Sequence, residues 1–577
     1  MMNLRVARIG LLLDLQAAEK RWRYGYNIYS LYLEEILAHA GIRVERVSNA
    51  RDIQTSRYDM VIDVLGDHTK EQQNGLWEYM ERGGRLVSYG RGHVWAERLG
   101  FVRQSTIRCG YAHWREGELP VPGIYRLRFV EASPWSLSSS VEKPNGSLTE
   151  KGNMTILTPG GSSGGTVLQS IQVGNGYLER WAVDIPQTIV RMQQGMDPVL
   201  EDGVPAPDGS AVLNEGILKA DDAIALDWEF DRKATDTGAL YFAEPQADLW
   251  RSVLISHLIS IAQECGVVLP FVGLWPEGTK QVALISHDSD VNQDEHALST
   301  LKLLQETGIR STWCMIEPGY SPHIYDQVKA AGHELAFHYN ALDEQGGRWY
   351  GDEFDRQLEW LKRAANLTSV TSNKNHYTRF EGWGELFLWC EKNQIAVDQT
   401  RGPSKRGNVG FLFGTCHPYY PMAWADERNR LYDVLEVGFL TQDMDLAAWS
   451  DSSVIVPFLE GVMRVEGVAH FLFHQIHIHN REAVRDAFRK LVREARSRQF
   501  EFWTCAEINE WTRKRRQAVI KGLDDQGGPI VENAQAGTVV WIPVDAVRES
   551  NHSEALEVQY GVTCRKYVVQ ETTNNVR

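Results

Sequence analysis

The chain has 577 residues, with 60 Lys+Arg against 76 Asp+Glu, a formal net charge of −16 and an apolar content of 43%. That length exceeds what one hydrophobic core usually serves, so two large domains and a small third are expected. The acidic balance disfavours a surface built to neutralise phosphates, no apolar run is long enough to span a bilayer, and the first residues lack a secretory signal, so the expected protein is soluble and cytoplasmic with no nucleic-acid partner.

Seven scattered cysteines without a CxxC pair suit a reducing compartment and make a cysteine zinc site an unexpected feature. Along the first quarter, residues 6–13, 43–47, 58–65 and 85–89 read as buried strands, with helical patterns at 27–40 and 71–82 between them. Strands and helices alternate as in an open, parallel α/β sheet. The turn after the fourth strand, Tyr89-Gly-Arg-Gly-His93, resembles the turn where class I glutamine amidotransferase-like domains carry a nucleophilic cysteine, but no thiol stands there. The resemblance implies an open flavodoxin- or amidotransferase-like domain acting as scaffold or binding unit. From about 100 to 240 the sequence becomes Gly-rich and β-rich, with a hairpin signal at Gly174-Asn175-Gly176, and reads as an elaboration of the same domain.

Residues 246–265 carry a long helical pattern that joins this domain, residues 1–275, to the next. Beyond Pro276 a strand–helix rhythm repeats: strands at 282–288, 310–316, 334–338, 395–398, 435–439, 470–474 and 500–505, and helices at 295–306, 324–331, 354–365, 385–393 and 506–515. A closed or nearly closed α/β barrel over residues 276–515 is the natural solution. Residues 516–577 read as a small β-rich appendage with a disordered tail.

The chemistry centres on the end of the first barrel strand, Val282-Ala-Leu-Ile-Ser-His-Asp288-Ser-Asp290, where alternation puts Asp288 and Asp290 on one face. Two like charges so close are relieved by a divalent cation, which leaves one carboxylate free as a base; the bland reading is a solvated acidic turn. Gly332-His333-Glu-Leu-Ala-Phe-His338 adds a histidine at a strand end on the rim where barrel active sites form. His470-Phe-Leu-Phe-His474-Gln-Ile-His477-Ile-His479 adds four more, with strand alternation setting His474 opposite His477 and His479.

In combination these segments resemble the polysaccharide deacetylase (NodB-homology, carbohydrate esterase family 4) superfamily, over about 240 residues, and imply its distorted (β/α)7-type barrel. By that resemblance Asp288 matches the catalytic base, Asp290 the metal-binding Asp and His338 the first metal histidine. The usual second histidine, four residues on, is replaced by Leu342. Lys374-Asn-His376-Tyr377-Thr-Arg379 looks like the HYLR-type segment of a divergent branch, so His376 is the implied third ligand, with Lys374 where an arginine is usual. His474 fits the general acid best, His477 being the runner-up, and Tyr377, Arg401 and His477 are the implied substrate contacts.

The resemblance implies a zinc-like divalent metal and hydrolysis of an N-acetyl or other N-acyl group from an amino-sugar glycan, with aromatic loops (Trp349-Tyr350, Trp383, Tyr419-Tyr420, Trp424) as sugar-stacking candidates. Two rivals stay open: a catalytically impaired carbohydrate-binding or scaffold barrel, and a different hydrolase such as a deformylase. A glycosidase needs carboxylates spanning a sugar bond, which Asp288 and Asp290 are too close to do.

Overall fold

The computed structural model describes residues 5–139, 146–447, 449–544 and 556–570. Strands β1 (Ile9–Leu12), β2 (Glu45–Val47), β3 (Met60–Asp63) and β4 (Arg85–Tyr89) run parallel in the order β2-β1-β3-β4. β1 and β3 are buried throughout, which is why they read as unbroken apolar runs. The β-rich stretch extends the same sheet: β5 (Gly110–His113), β6 (Arg126–Phe129), β7 (Leu148–Ile156), β8 (Ser163–Val173) and β9 (Gly176–Trp181) bring it to nine strands. β9 lies parallel to β4, and β8, β7, β5 and β6 then follow antiparallel. The β8–β9 hairpin turns through Gly174 at φ 60°, where a side chain would meet the Glu81 backbone.

The second sheet has eight strands. After the short β10 (Phe271–Val272) come β11 (Gln281–Asp288), β12 (Thr312–Met315), β13 (Glu334–Tyr339), β14 (Ser372–Asn375), β15 (Val397–Asp398), β16 (Leu435–Glu436), β17 (Val468–His474) and β18 (Phe500–Phe502). All pairings are parallel, in the order β16-β15-β14-β13-β12-β11-β17. β12 pairs only with residues 286–288 of β11, and β18 takes residues 281–283 at the other end. The sheet curls until the chain just beyond β16 meets β17: Leu440 N–H donates to His470 C=O and Leu472 N–H to Thr441 C=O. It is the curled, nearly closed α/β barrel expected from the rhythm, with strand bounds shifted by a few residues and one further strand, β14, that its polar sequence Ser-Asn-Lys-Asn did not announce.

Inside the barrel, Val282, Leu284, Val397, Leu435 and Val468 from the strand starts pack with Cys505, Ile508 and Trp511 of helix Cys505–Arg515, which stoppers the N-terminal end. The open, C-terminal end is left for chemistry. β19 (Val519–Leu523) and β20 (Pro529–Glu532) form a hairpin, and β21 (Val539–Pro543), β22 (Leu556–Gln559) and β23 (Val562–Val568) make a sheet that borrows β10 as its edge. The tail expected at the C-terminus falls on residues 571–577, outside those described.

Helix Gln246–Glu264 is buried around most of its circumference because it is bonded to the first sheet and to a loop of the barrel half. Trp250 Nε1–H donates to Arg128 C=O (2.7 Å), while Asp248 accepts from the Thr415 hydroxyl (2.7 Å) and the Cys416 N–H (2.8 Å). One apolar cluster runs without interruption from Ala7 to Cys564. The boundary placed at 275 therefore marks a change of sheet and not a gap in packing. No helix among the described residues is long and apolar enough to cross a membrane.

Candidate active site

β11 ends at Asp288, and the chain turns so that Ser289 N–H donates to Cys314 C=O (3.1 Å). The turn swings Asp290 back over the barrel mouth. Asp290 Oδ1 lies 3.3 Å from His338 Nε2 and 3.4 Å from His376 Nδ1, and those two nitrogens are 3.3 Å apart. A tetrahedral zinc-like ion with bonds of about 2.0–2.1 Å sets its ligands roughly 3.3–3.4 Å from one another.

The outer nitrogens of both rings are committed. His338 Nδ1–H donates to Lys374 C=O (2.9 Å), and His376 Nε2–H donates to Gln345 Oε1 (2.9 Å). Each ring thus presents a lone pair inward, towards a carboxylate oxygen that is itself buried without a hydrogen-bond donor. Three acceptors facing one another repel unless a cation lies between them. Burial opposes the charge on Asp290, but His338, His376 and the nearby His474 outweigh it and hold the carboxyl well below the ordinary range. The donor set, one carboxylate oxygen and two imidazole nitrogens, suits zinc.

Beneath this triad lies a proton-ordered chain inside the barrel. Lys374, fully buried, donates from Nζ to Ser286 Oγ (2.6 Å); Ser286 donates to His470 Nε2 (2.8 Å); His470 Nδ1–H donates to Val437 C=O (3.1 Å). Burial keeps the His470 ring neutral, its pKa well below the usual value. With Ser286 occupied, the Lys374 ammonium sits 3.3 Å from Asp288 Oδ1 and compensates that carboxylate in a buried setting. The second Asp288 oxygen faces His338 Nε2 at 3.7 Å, so Asp288 stands beside the triad without being needed to complete it.

On the other side, β17 ends at His474 and helix Gln475–Asn480 begins at the next residue. His474 Nδ1 meets Asp443 Oδ2 at 2.5 Å, its own N–H donates to Asp443 Oδ1 (3.0 Å), and its Nε2 points to Asp290 Oδ2 at 3.7 Å. Burial lowers the His474 pKa, but the charges of Asp443 and Asp290 outweigh burial and push it up to about 10, so the ring is an imidazolium. Strand alternation would set His474 against His477 only if the strand ran on; because it stops, His477 lies one helical turn on and its ring is 5.7 Å from that of His474. The Asp443, His474 and His477 ligand atoms form a second cluster beside the first. His479 bonds Ser299 instead (2.8 Å), and His333 accepts from Ser311 N–H (3.2 Å), both away from the mouth.

Tyr377, half exposed, adopts a left-handed backbone (φ 58°, ψ 15°) and sets its ring edge-on to His376 at 4.8 Å. Arg401 is not at the mouth, and its expected substrate contact is corrected. It is 1% exposed, its guanidinium lies over Phe380 (4.5 Å) and near Phe413 (5.7 Å), and it donates to Gln194 C=O (2.9 Å) with Glu436 at 3.9 Å. The loop that carries it is sealed by the segment arriving from the first half. Among the aromatic candidates, Trp383 and Trp424 meet edge to face, Trp349 packs on Trp389, and Tyr419 donates to Gln193 C=O; Tyr350 is the exposed one.

Asp443 and Gln345 were not singled out from the sequence. Asp443 carried a signal, an acid just past an apolar strand, but Asp445 carried the same one. Gln345 lies in a loop where nothing in the spacing marks it.

Fold and site together define a curled α/β barrel whose mouth carries an Asp-His-His cluster with the spacing to hold a cation, flanked by a lysine-compensated carboxylate and an acid-paired histidine. No protein-family model and no curated protein matches the chain. Among solved structures, it is similar to the Xyl-CE4 domain of a multidomain xylanase from the hindgut metagenome of Trinervitermes trinervoides, at 12% identity over 40% of this chain and 91% of that one, with a TM-score of 0.25. The Bc1960 peptidoglycan N-acetylglucosamine deacetylase is 16% identical over 41% and 90%, with a TM-score of 0.25. A β-galactosidase from Bacillus circulans sp. alkalophilus reaches the same score at 13% identity over 33% and 31%. Likenesses of this size add nothing to the geometry above.

Proposed function

We propose that the protein is a divalent-metal-dependent hydrolase that removes an N-acetyl group from an amino-sugar-containing glycan or its precursor, in the manner of the HYLR-type deacetylases its motifs resemble. The observation that carries this reading is the Asp290–His338–His376 triangle, whose two imidazoles are locked by outside acceptors with their lone pairs turned inward. Zinc held there would supply Lewis acidity to the acyl carbonyl and to the attacking water.

Asp288 takes the proton from that water, with Lys374 holding its carboxylate in place. As the acyl C–N bond breaks and a C–O bond forms, His474 delivers its proton from Nε2 to the departing amine, giving acetate and a free amino sugar. Asp443 keeps His474 oriented and charged. In this reading the backbone N–H near Tyr377 would orient the carbonyl oxygen, and His477 would line the leaving-group side. The N-terminal sheet, an amidotransferase-like scaffold in this reading, has Arg91 paired with Asp184 (3.2 Å) where a nucleophile would be.

Metal analysis of wild type and His376→Ala, with acetate release from N-acetylated oligosaccharides by wild type and Asp288→Asn, tests this. Stoichiometric metal lost in His376→Ala and acetate release abolished in Asp288→Asn are expected. Metal-free wild type would favour the scaffold alternative, and undiminished release by Asp288→Asn would overturn the base.

A further inference from the structure

The mouth of the barrel is not built by the barrel alone. Residues from the first half cross it: Val199 and Gly382 exchange both backbone hydrogen bonds (2.9 and 2.8 Å), and Phe380 N–H donates to Leu218 C=O (3.0 Å). This anchors the upstream segment on the same loop that carries His376 and Tyr377, and it delivers Lys219 opposite Arg379.

Lys219 is 3% exposed, and its Nζ lies 5.3 Å from the centre of the Tyr377 ring, which in turn lies 4.8 Å from the His376 ring. The ammonium is thus about one or two sugar residues from the cation pocket. Its two acidic neighbours are already engaged. Asp222 accepts from Lys405 Nζ (2.7 Å) and from the Lys219 backbone N–H (2.8 Å). Asp221 accepts from Ser404 N–H and Oγ (3.0 and 2.7 Å) and from Asn408 Nδ2 (2.8 Å). Among the described residues no carboxylate lies within ion-pair distance of Lys219 Nζ and no acceptor within hydrogen-bond distance; the ammonium rests over the face of the Tyr377 ring and stays available to an anionic ligand. Burial pulls its pKa down, with Asp221 opposing.

We infer that Lys219 is a specificity-determining residue that binds an anionic substituent, carboxylate or phosphate, on the amino-sugar substrate. The inference rests on the proposed function for the sugar and goes beyond it in assigning the sugar a charge. The Tyr377 ring supports it from a different direction. A half-exposed tyrosine held in a left-handed conformation is a cost that a purely structural residue would avoid, and here it forms the floor between the cation pocket and the ammonium.

Binding and turnover are read separately on metal-loaded protein, using N-acetylglucosamine as the neutral probe, N-acetylmuramic acid as the carboxylate probe and N-acetylglucosamine 1-phosphate as the phosphate probe. Wild type is expected to bind at least one anionic probe about tenfold more tightly than the neutral one, a preference that weakens with salt. Lys219→Met and Lys219→Gln should erase the preference and Lys219→Arg retain it, with melting temperature and metal content confirming folded variants. Which probe gains identifies the anion. Equal binding of all three by wild type, no binding of any, or a preference that survives in Lys219→Met overturns the inference. Because these are equilibrium measurements, a Lys219-dependent preference without acetate release would sink the proposed reaction and leave the anion site standing.

Discussion

Replacing Asp443 by Asn removes one charge and one acceptor while keeping shape. In the native site both carboxylate oxygens are used, one by the His474 backbone N–H (3.0 Å) and one by its ring Nδ1 (2.5 Å). An amide can satisfy only one of these as acceptor. With its oxygen kept on the backbone N–H, its NH2 faces Nδ1 and makes the ring accept there, so the imidazolium loses its proton and the strongest charge sustaining it. A positioned general acid is worth about 10²- to 10⁴-fold, or about 3 to 5 kcal/mol of barrier. Acetate release from an N-acetylated oligosaccharide should fall by that factor, with metal content unchanged, since Asp443 is no part of the triad. An acetyl ester with a phenolate leaving group needs no protonation, and on it the loss should shrink to less than about tenfold. Release within about threefold of wild type on the amide, or an equal loss on both substrates, would refute the assignment of His474 as acid.

Three further outcomes are expected. Gln345→Leu, which strips the acceptor from His376 Nε2–H, should weaken zinc binding by about 10- to 100-fold in a competition titration while leaving the melting temperature of metal-free protein unchanged. Arg401→Ala should destabilise the fold by about 2–5 kcal/mol, read as a fall in the urea midpoint, because it empties a buried space beside Phe380 and Phe413 and leaves Gln194 C=O without its donor; substrate KM should stay within about twofold. His417 accepts from Arg251 Nη1 (2.8 Å), donates to Val465 C=O (2.5 Å) and is held by burial down to about 4. The unfolded chain takes up that proton near pH 6.5, so it binds more protons than the native state between about pH 6.5 and 4. Stability of metal-free protein should fall as pH falls through that window, by about 3 kcal/mol at its lower end, and the slope should flatten in His417→Gln.

Much of the barrel was legible because several of its strands are buried on both faces and carry short apolar runs, as at Val282–Ile285, whereas β14 carries none and was missed. Asp288, Asp290 and His338 were legible from their place at strand ends, and His376 from a segment resembling a known branch. The nearness of His477 to His474 was not legible from alternation, which holds only while a strand continues; Gln475 starts a helix, its buried side-chain oxygen taking the Tyr320 hydroxyl. Arg401 was misjudged because what covers it, Gln194, lies about two hundred residues away in sequence. The helices Ile185–Gln194 and Glu482–Ser497 went unmarked, although both carry an apolar stripe. Asp443 needed the neighbouring strand to be seen as a neighbour.

The helix Gln246–Glu264 has a further consequence. Its tryptophan is tethered to the first sheet and its aspartate to a loop of the barrel half, so neither half keeps a finished surface when the other is cut away. A gene fragment beginning at 276 would encode a barrel with its flank stripped and its mouth missing Lys219. For anyone moving this activity into another protein, the transferable unit is the whole chain, and an evolving lineage would have had to keep or discard both halves together.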